Sequence, residues 1–179
     1  LPIFHDRAAE DKFAAEGYGS YRKDVMYNDF VVVGPKDDPA KVRTAANAGA
    51  ALKAIAGTGQ AFVSRGDKSG THAAELRLWK DAGIEPKMLA AYKETGSGMG
   101  PTLNMAAATN AYTLSDRATW YAFKNRRDLD IVLAGDPILF NPYGVIPVNP
   151  MRHPHVKKEA AERFAQWLTS AAGQEAITA

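Results

Sequence analysis

The sequence predicts an α/β fold, and three observations carry that prediction. β-branched runs such as "DFVVVGP" alternate along the chain with longer alanine-rich helical patterns. Caps, glycines and prolines punctuate the switches between them. The composition, 46% hydrophobic and 23% charged over 179 residues, is that of a globular chain with room for one domain or two small lobes.

Taken in order, "DRAAEDKFAAEGYG" reads as a helix opened by Asp6 and closed by Gly17 or Gly19. "DFVVVGP" is a buried strand ended by Gly34 and Pro35. In "DDPAKVRTAANAGAALKAIAG", Asp38 is expected to cap, and Pro39 to open, one or two helices. "QAFVS" is a short strand. "SGTHAAELRLWKDAGI" follows as a helix with Leu76, Trp79 and Ala82 on its apolar face, ended by Gly83. "GSGMGPTLNMAAATN" is a glycine turn and then a helix with Pro101 in first position. "NAYTLS" is a strand, and "SDRATWYAFKN" a helix capped by Ser115. "LDIVLAG" and "YGVIPVNP" are strands flanking the loop "DPILFNP". The tail is a helix expected to bury Phe164, Trp167 and Leu168, with a shorter helix after it. The strand-like stretches Asp29–Pro35 and Asp130–Pro150 bracket a middle segment of α/β character, the pattern of a lobe inserted between two crossings.

Charge and composition exclude some functions. A net charge of +2 does not by itself point to a nucleic-acid or membrane surface. Without cysteine there are no disulfides and no thiolate metal sites. No run approaches the length of apolar residues that spans a bilayer. The start, Leu1 and Pro2 followed by His5, Asp6 and Arg7, carries no signal-peptide pattern and no initiator Met, so the gene is expected to begin elsewhere.

The chemistry concentrates in "FVSRGDKSGTH", between a strand and a helix. Arg65 offers a planar fork of donors suited to oxyanions. Ser69 and Thr71 add hydroxyls, and Gly70 lets backbone approach a ligand. The helix start near Thr71 supplies free N–H groups and the positive end of a dipole. Together these make an anion cradle. The alternative is structural: Ser69 as an ordinary cap and Arg65 paired with Asp67. Both readings are open on the residues alone. Residues 65–67 also spell RGD, which makes adhesion a minor hypothesis.

These same residues carry a resemblance. "FVSRGDKSGTH", "GSGMGPTLNMA", "AYTLSDRATW" and "GDPILFNPYGVIPVNP" closely resemble the tungstate-binding periplasmic proteins of ABC transporters. "HDRAAEDKF", "GYGSYRKDVMYNDFVVVGP" and "FAQWLTSAAGQEAI" are similar as well, so the likeness runs through the whole chain in order. The resemblance implies a type II periplasmic-binding fold, two α/β lobes joined by two crossings, here Asp29–Pro35 and roughly Asp136–Val148. One lobe is expected to be complete, residues 35–138, and the other partial, residues 1–34 and 139–179. It further implies that Arg65 ion-pairs with the oxyanion, with Ser69, Gly70 and Thr71 as ligands through hydroxyl and backbone. Tungstate or molybdate is the implied guest and an ABC permease the implied partner, outside the cytoplasm, in the periplasm or on an anchored lipoprotein. No cofactor, metal or nucleic acid is implied. The family's "TTTS"-like turn has no counterpart here, so half of the cage is expected to be absent. Self-association of the shortened chain is one consequence left open.

Other candidates fare less well. "GSGMGPTLN" lacks the lysine of a P-loop; Gly100 and Thr102 either line a cleft or make a tight helix start. Asp116 and Arg117 read better as a cap and ion pair than as ligand contacts. Ser69 and His72 lack a third group to orient a nucleophile, so an oxyanion-processing enzyme is disfavoured. His153 and His155 are too few for a metal site. "KNRRDLD" reads as a solvated helix end, and Trp79, Trp120 and Trp167 as core. An effector-binding module of a transcription regulator is the alternative function.

Overall fold

A strand can bury both faces only if helices cover both, and residues 30–33 satisfy that condition. β2, Lys23–Pro35, sends Phe30 and Val32 into one core and Val31 and Val33 into another. The computed structural model describes residues 1–178. The chain divides into two units, Leu1–Tyr27 with Asn141–Ala179, and Asn28–Phe140.

The first unit begins with β1, Ile3–Phe4, and α1, Arg7–Ala15. Asp6 caps α1 by accepting from the Ala9 N–H, and Gly17 follows its end at φ +76°. β1 pairs antiparallel with β7, Phe140–Val145. α6, Lys158–Leu168, and α7, Ala171–Thr178, close the chain. The core here is small: Val25, Val145, Ala165 and Leu168. A buried ion pair between Arg22 and Glu10 lies against Gly144. Phe164 and Trp167 were expected inside; they stack on each other at 5.8 Å and are 46% and 45% exposed. Ala165 and Leu168 define the buried side of α6, and the aromatic pair sits beside it rather than on it.

The second unit holds α2 (Ala48–Gly57), β3 (Phe62–Ser64), α3 (Gly70–Asp81), β4 (Tyr92–Glu94), α4 (Met99–Thr109), β5 (Thr113–Asp116), α5 (Arg117–Ala122) and β6 (Leu129–Leu133). β3 is parallel to β4, and a parallel bridge, Phe62 to Tyr112, ties β3 to the approach of β5. β2 runs antiparallel to β5 and to β6, with a register shift between Val32 and Val33 on the β6 side. α2 and α3 pack on one face around Leu52, Ile55, Phe62 and Trp79; α4 and α5 pack on the other around Leu103 and Trp120. Trp79 is fully buried, with Phe62 edge-on at 5.1 Å, and truncating it would cost about 3–5 kcal/mol.

Several boundaries differ from the sequence reading. β2 starts at Lys23, because its first half is polar and half-exposed and carries no apolar run. Asp38 caps only a single 3-10 turn, Val42–Thr44, with its carboxylate on the Val42 and Arg43 amides; Asn47, not Asp38, caps α2, so Pro39 lies in the turn. α4 is capped at Gly98, which puts Pro101 third, where a missing N–H is harmless. Asp116, not Ser115, caps α5, since Ser115 is still strand. Leu76 is 38% exposed; α3 buries Ala74, Glu75, Leu78 and Trp79, and a spacing of three drifts off that face. β7 begins at Phe140, inside the expected loop.

Gly34 shows how closely β2 is packed. A Cβ there would lie 2.3 Å from Cδ1 of Tyr112, whose buried hydroxyl donates to Asp38 and accepts from the Ala40 N–H. Tyr112 is fully buried and held at its hydroxyl, so it cannot retreat. Gly34→Ala is expected to destabilise the second unit by about 1–3 kcal/mol, read as a lower denaturant midpoint at unchanged slope.

Candidate functional site

Parallel β3 and β4, with β5 alongside, bring three strand ends to one edge, and a helix starts after each. Carboxyl ends of strands followed by helix N-termini are where α/β sheets offer unpaired N–H groups to ligands. The loop from β3 to α3 contains Arg65, Gly66, Asp67, Lys68 and Ser69.

Side chains close most of that loop. Gly66 N–H donates to the Ser64 hydroxyl at 3.2 Å, and Lys68 N–H to His72 Nδ1 at 3.1 Å. Ser69 N–H donates to Asp67 Oδ1 at 3.1 Å, and His72 N–H to the Ser69 hydroxyl at 3.3 Å. Two positive φ angles, +61° at both Gly66 and Lys68, make the bend. A side chain at Gly66 would also meet Glu94, with Cβ atoms 2.6 Å apart. Ser69 is therefore the cap of α3 and Gly70 its first residue.

What remains open is a set of donors. Among the described residues, the amides of Gly70 and Thr71 have no hydrogen-bond partner, nor does the hydroxyl of Thr71, a residue that is otherwise buried. Arg65 gives Nε and Nη2 to Asp67 Oδ2, at 3.1 and 2.6 Å, leaving Nη1. The neighbouring loop is stitched on: Ser97 N–H and the Thr95 hydroxyl both reach the Arg65 carbonyl at 3.2 Å, and Thr95 meets Thr102 at 2.9 Å. Gly98 gives α4 no side-chain cap, so the Met99 and Gly100 amides are open as well.

Behind the loop sits Glu75, accepting from Ser64, Trp79 and Tyr92 at 2.6, 3.1 and 2.7 Å. Burial pushes its carboxyl up, and those hydrogen bonds only partly offset the effect. For Asp67 the balance is reversed. Burial alone would raise it, but bonds from Ser69 and Arg65 prevail and hold it at about 2.

The remaining sequence candidates are placed as follows. Asp116 accepts from Thr119 N–H at 2.8 Å as the cap of α5. Arg117 is committed to Asp29 on β2 through Nε and Nη2, which holds its charge firmly. Thr102 is buried in the stitch between the loops, and Gly100 has open space where a Cβ would stand. The His72 ring is turned to Lys68, so no Ser69–His72 nucleophile pair is assembled. Arg65 and Asp67 are bonded to each other and only 20% and 19% exposed, which leaves no displayed RGD. Among the described residues no group of three or more metal-ligating side chains occurs, and no helix is long and apolar enough to cross a membrane. The pairing of Arg65 with Asp67 is the structural alternative the sequence offered, whereas Thr95 and Ser97, which tie the next loop on, were not singled out. "ETGSGMGPT" repeats the strand–loop–helix form of "SRGDKSGT", and that parallel was the available signal.

The profile of the PBP superfamily domain matches residues 3–172. The chain belongs to the PBP superfamily. Among its relatives is the tungstate-binding protein TupA of Peptoclostridium acidaminophilum, 45% identical over 98% of this chain and 62% of its own length. A crystal structure of the tungstate ABC transporter from Geobacter sulfurreducens is 52% identical with a TM-score of 0.84, over 98% of this chain and 75% of that one. The tungstate-binding protein TupA from Desulfovibrio alaskensis is 45% identical with a TM-score of 0.81, over 98% and 72%. This superfamily member spans 53% to 63% of the length of the curated relatives it matches.

The depressed Asp67 carboxyl has a pH consequence with a definite sign. Its contribution to stability is complete above the ordinary aspartate range near pH 4 and is lost as pH falls toward about 2. Acid unfolding curves should show wild type losing stability relative to Asp67→Asn across that window, and running parallel to it above about pH 5.

Proposed function

We propose that this chain is the binding portion of a solute receptor that captures a tetrahedral oxyanion, tungstate or molybdate, and passes it to an ABC permease outside the cytoplasm. The observation that carries the reading is the open donor set of Arg65 Nη1, the Gly70 and Thr71 amides and the Thr71 hydroxyl. A fully ionised dianion needs donors only, and a helix start in the same loop as a guanidinium supplies them. The names of the relatives support the same ligand. Because the chain spans only part of those relatives, further ligand groups and the permease contact belong to the whole receptor. The function is capture without turnover, in keeping with a His72 ring committed to the loop backbone.

Isothermal titration with sodium tungstate tests the reading. Arg65→Ala should weaken binding by about 2–5 kcal/mol, the range for removing one partner of a desolvated charge pair. Unchanged affinity in that variant would remove Arg65 from the site.

A further inference from the structure

We propose that Asp67 is a positioning residue for the oxyanion: it grips one edge of the Arg65 guanidinium so that the opposite edge faces the ligand. The inference rests on the oxyanion reading above. Asp67 is held twice, by Arg65 on Oδ2 and by the Ser69 N–H on Oδ1. The second hold belongs to the helix start and does not involve the arginine. The left-handed residues on either side, Gly66 and Lys68, turn the carboxylate inward.

A guanidinium has five N–H groups in a rigid plane. Asp67 takes one from Nε and one from Nη2, so both protons of Nη1 and the second of Nη2 remain, and the latter lies parallel to one of the Nη1 protons on a separate edge. That edge has the geometry for bidentate pairing with an oxyanion. With Arg65 already fixed in one rotamer, binding does not have to order it. The same carboxylate spends the Ser69 amide internally and leaves those of Gly70 and Thr71 for the guest.

Simple Coulomb reasoning predicts the opposite behaviour. A negative group near a dianion repels it, so deleting Asp67 would tighten binding. The sign of the effect therefore separates an orienting carboxylate from a merely repelling one.

The experiment is a double-mutant cycle by titration calorimetry with sodium tungstate on the full chain. Asp67→Asn keeps the shape and is expected to weaken binding roughly tenfold, the scale of one immobilised side chain. In an Arg65→Ala background the same change should cost nothing further. Equal or tighter binding by Asp67→Asn overturns the proposal, and so does an undiminished tenfold loss without the arginine. A second readout needs no ligand: the Arg65 Nε–H resonance should exchange slowly with water in wild type and rapidly in Asp67→Asn. Fast exchange in both overturns the positioning role. A wild type that takes up no tungstate but shows the protected Nε–H would fail the proposed function and still uphold the grip on Arg65.

Discussion

Backbone N–H groups at a helix start must find acceptors, and the site is shaped by which of them do. In residues 64–72 the amides of Gly66, Lys68, Ser69 and His72 are met by Ser64, His72, Asp67 and Ser69. Those of Arg65, Asp67, Gly70 and Thr71 have no partner among the described hydrogen bonds. Gly70 and Thr71 are adjacent, sit at the positive end of a helix of 12 residues and follow in sequence an arginine held by Asp67. Under the proposed reading, selective satisfaction of this kind makes a seat for an anion out of ordinary backbone. An evenly capped helix would offer nothing.

The seat is stiff because it is wired to the core. Ser64 links the Gly66 amide to Glu75, and Glu75 holds the indole of Trp79 and the hydroxyl of Tyr92. A carboxyl at that depth is expensive to bury, and its partners are donors that have no other acceptor among the described hydrogen bonds. Loop and core therefore cannot relax separately. On the other side, Thr95 and Ser97 fasten the next loop to the Arg65 carbonyl, so the starts of α3 and α4 are placed by one set of bonds.

Much of this frame was legible in the sequence. "FVS" followed by "SGTH" reads as strand, cap and helix, because apolar β-branched residues and a serine before a helix each have a local physical cause. The direction of Asp67 was not legible. Whether it pairs with Arg65 or faces away depends on the φ angles of Gly66 and Lys68, and a lysine at +61° leaves no mark on residue type. The start of α4 misled for a related reason: several glycines offered several starts, and the preference of proline for first position chose wrongly. Phe164 and Trp167 show a further limit. Their apolar character is plain, but a pattern of residues cannot say which side of α6 finds a partner.

The engaged state of Asp67 also bears on selectivity under the proposed reading. An oxyanion that keeps a proton, such as hydrogen phosphate, needs an acceptor as well as donors. Asp67 is the carboxylate bonded to Arg65, and both of its oxygens already receive N–H groups, from Arg65 and Ser69. Oδ2 already takes both Arg65 contacts, so a ligand O–H would have to share Oδ1 with the Ser69 N–H. A guest without a proton needs no such sharing. Under that reading the arrangement favours fully ionised dianions over protonated ones, because most of the acceptor capacity of Asp67 is already engaged, while tungstate and molybdate match in charge and nearly in size.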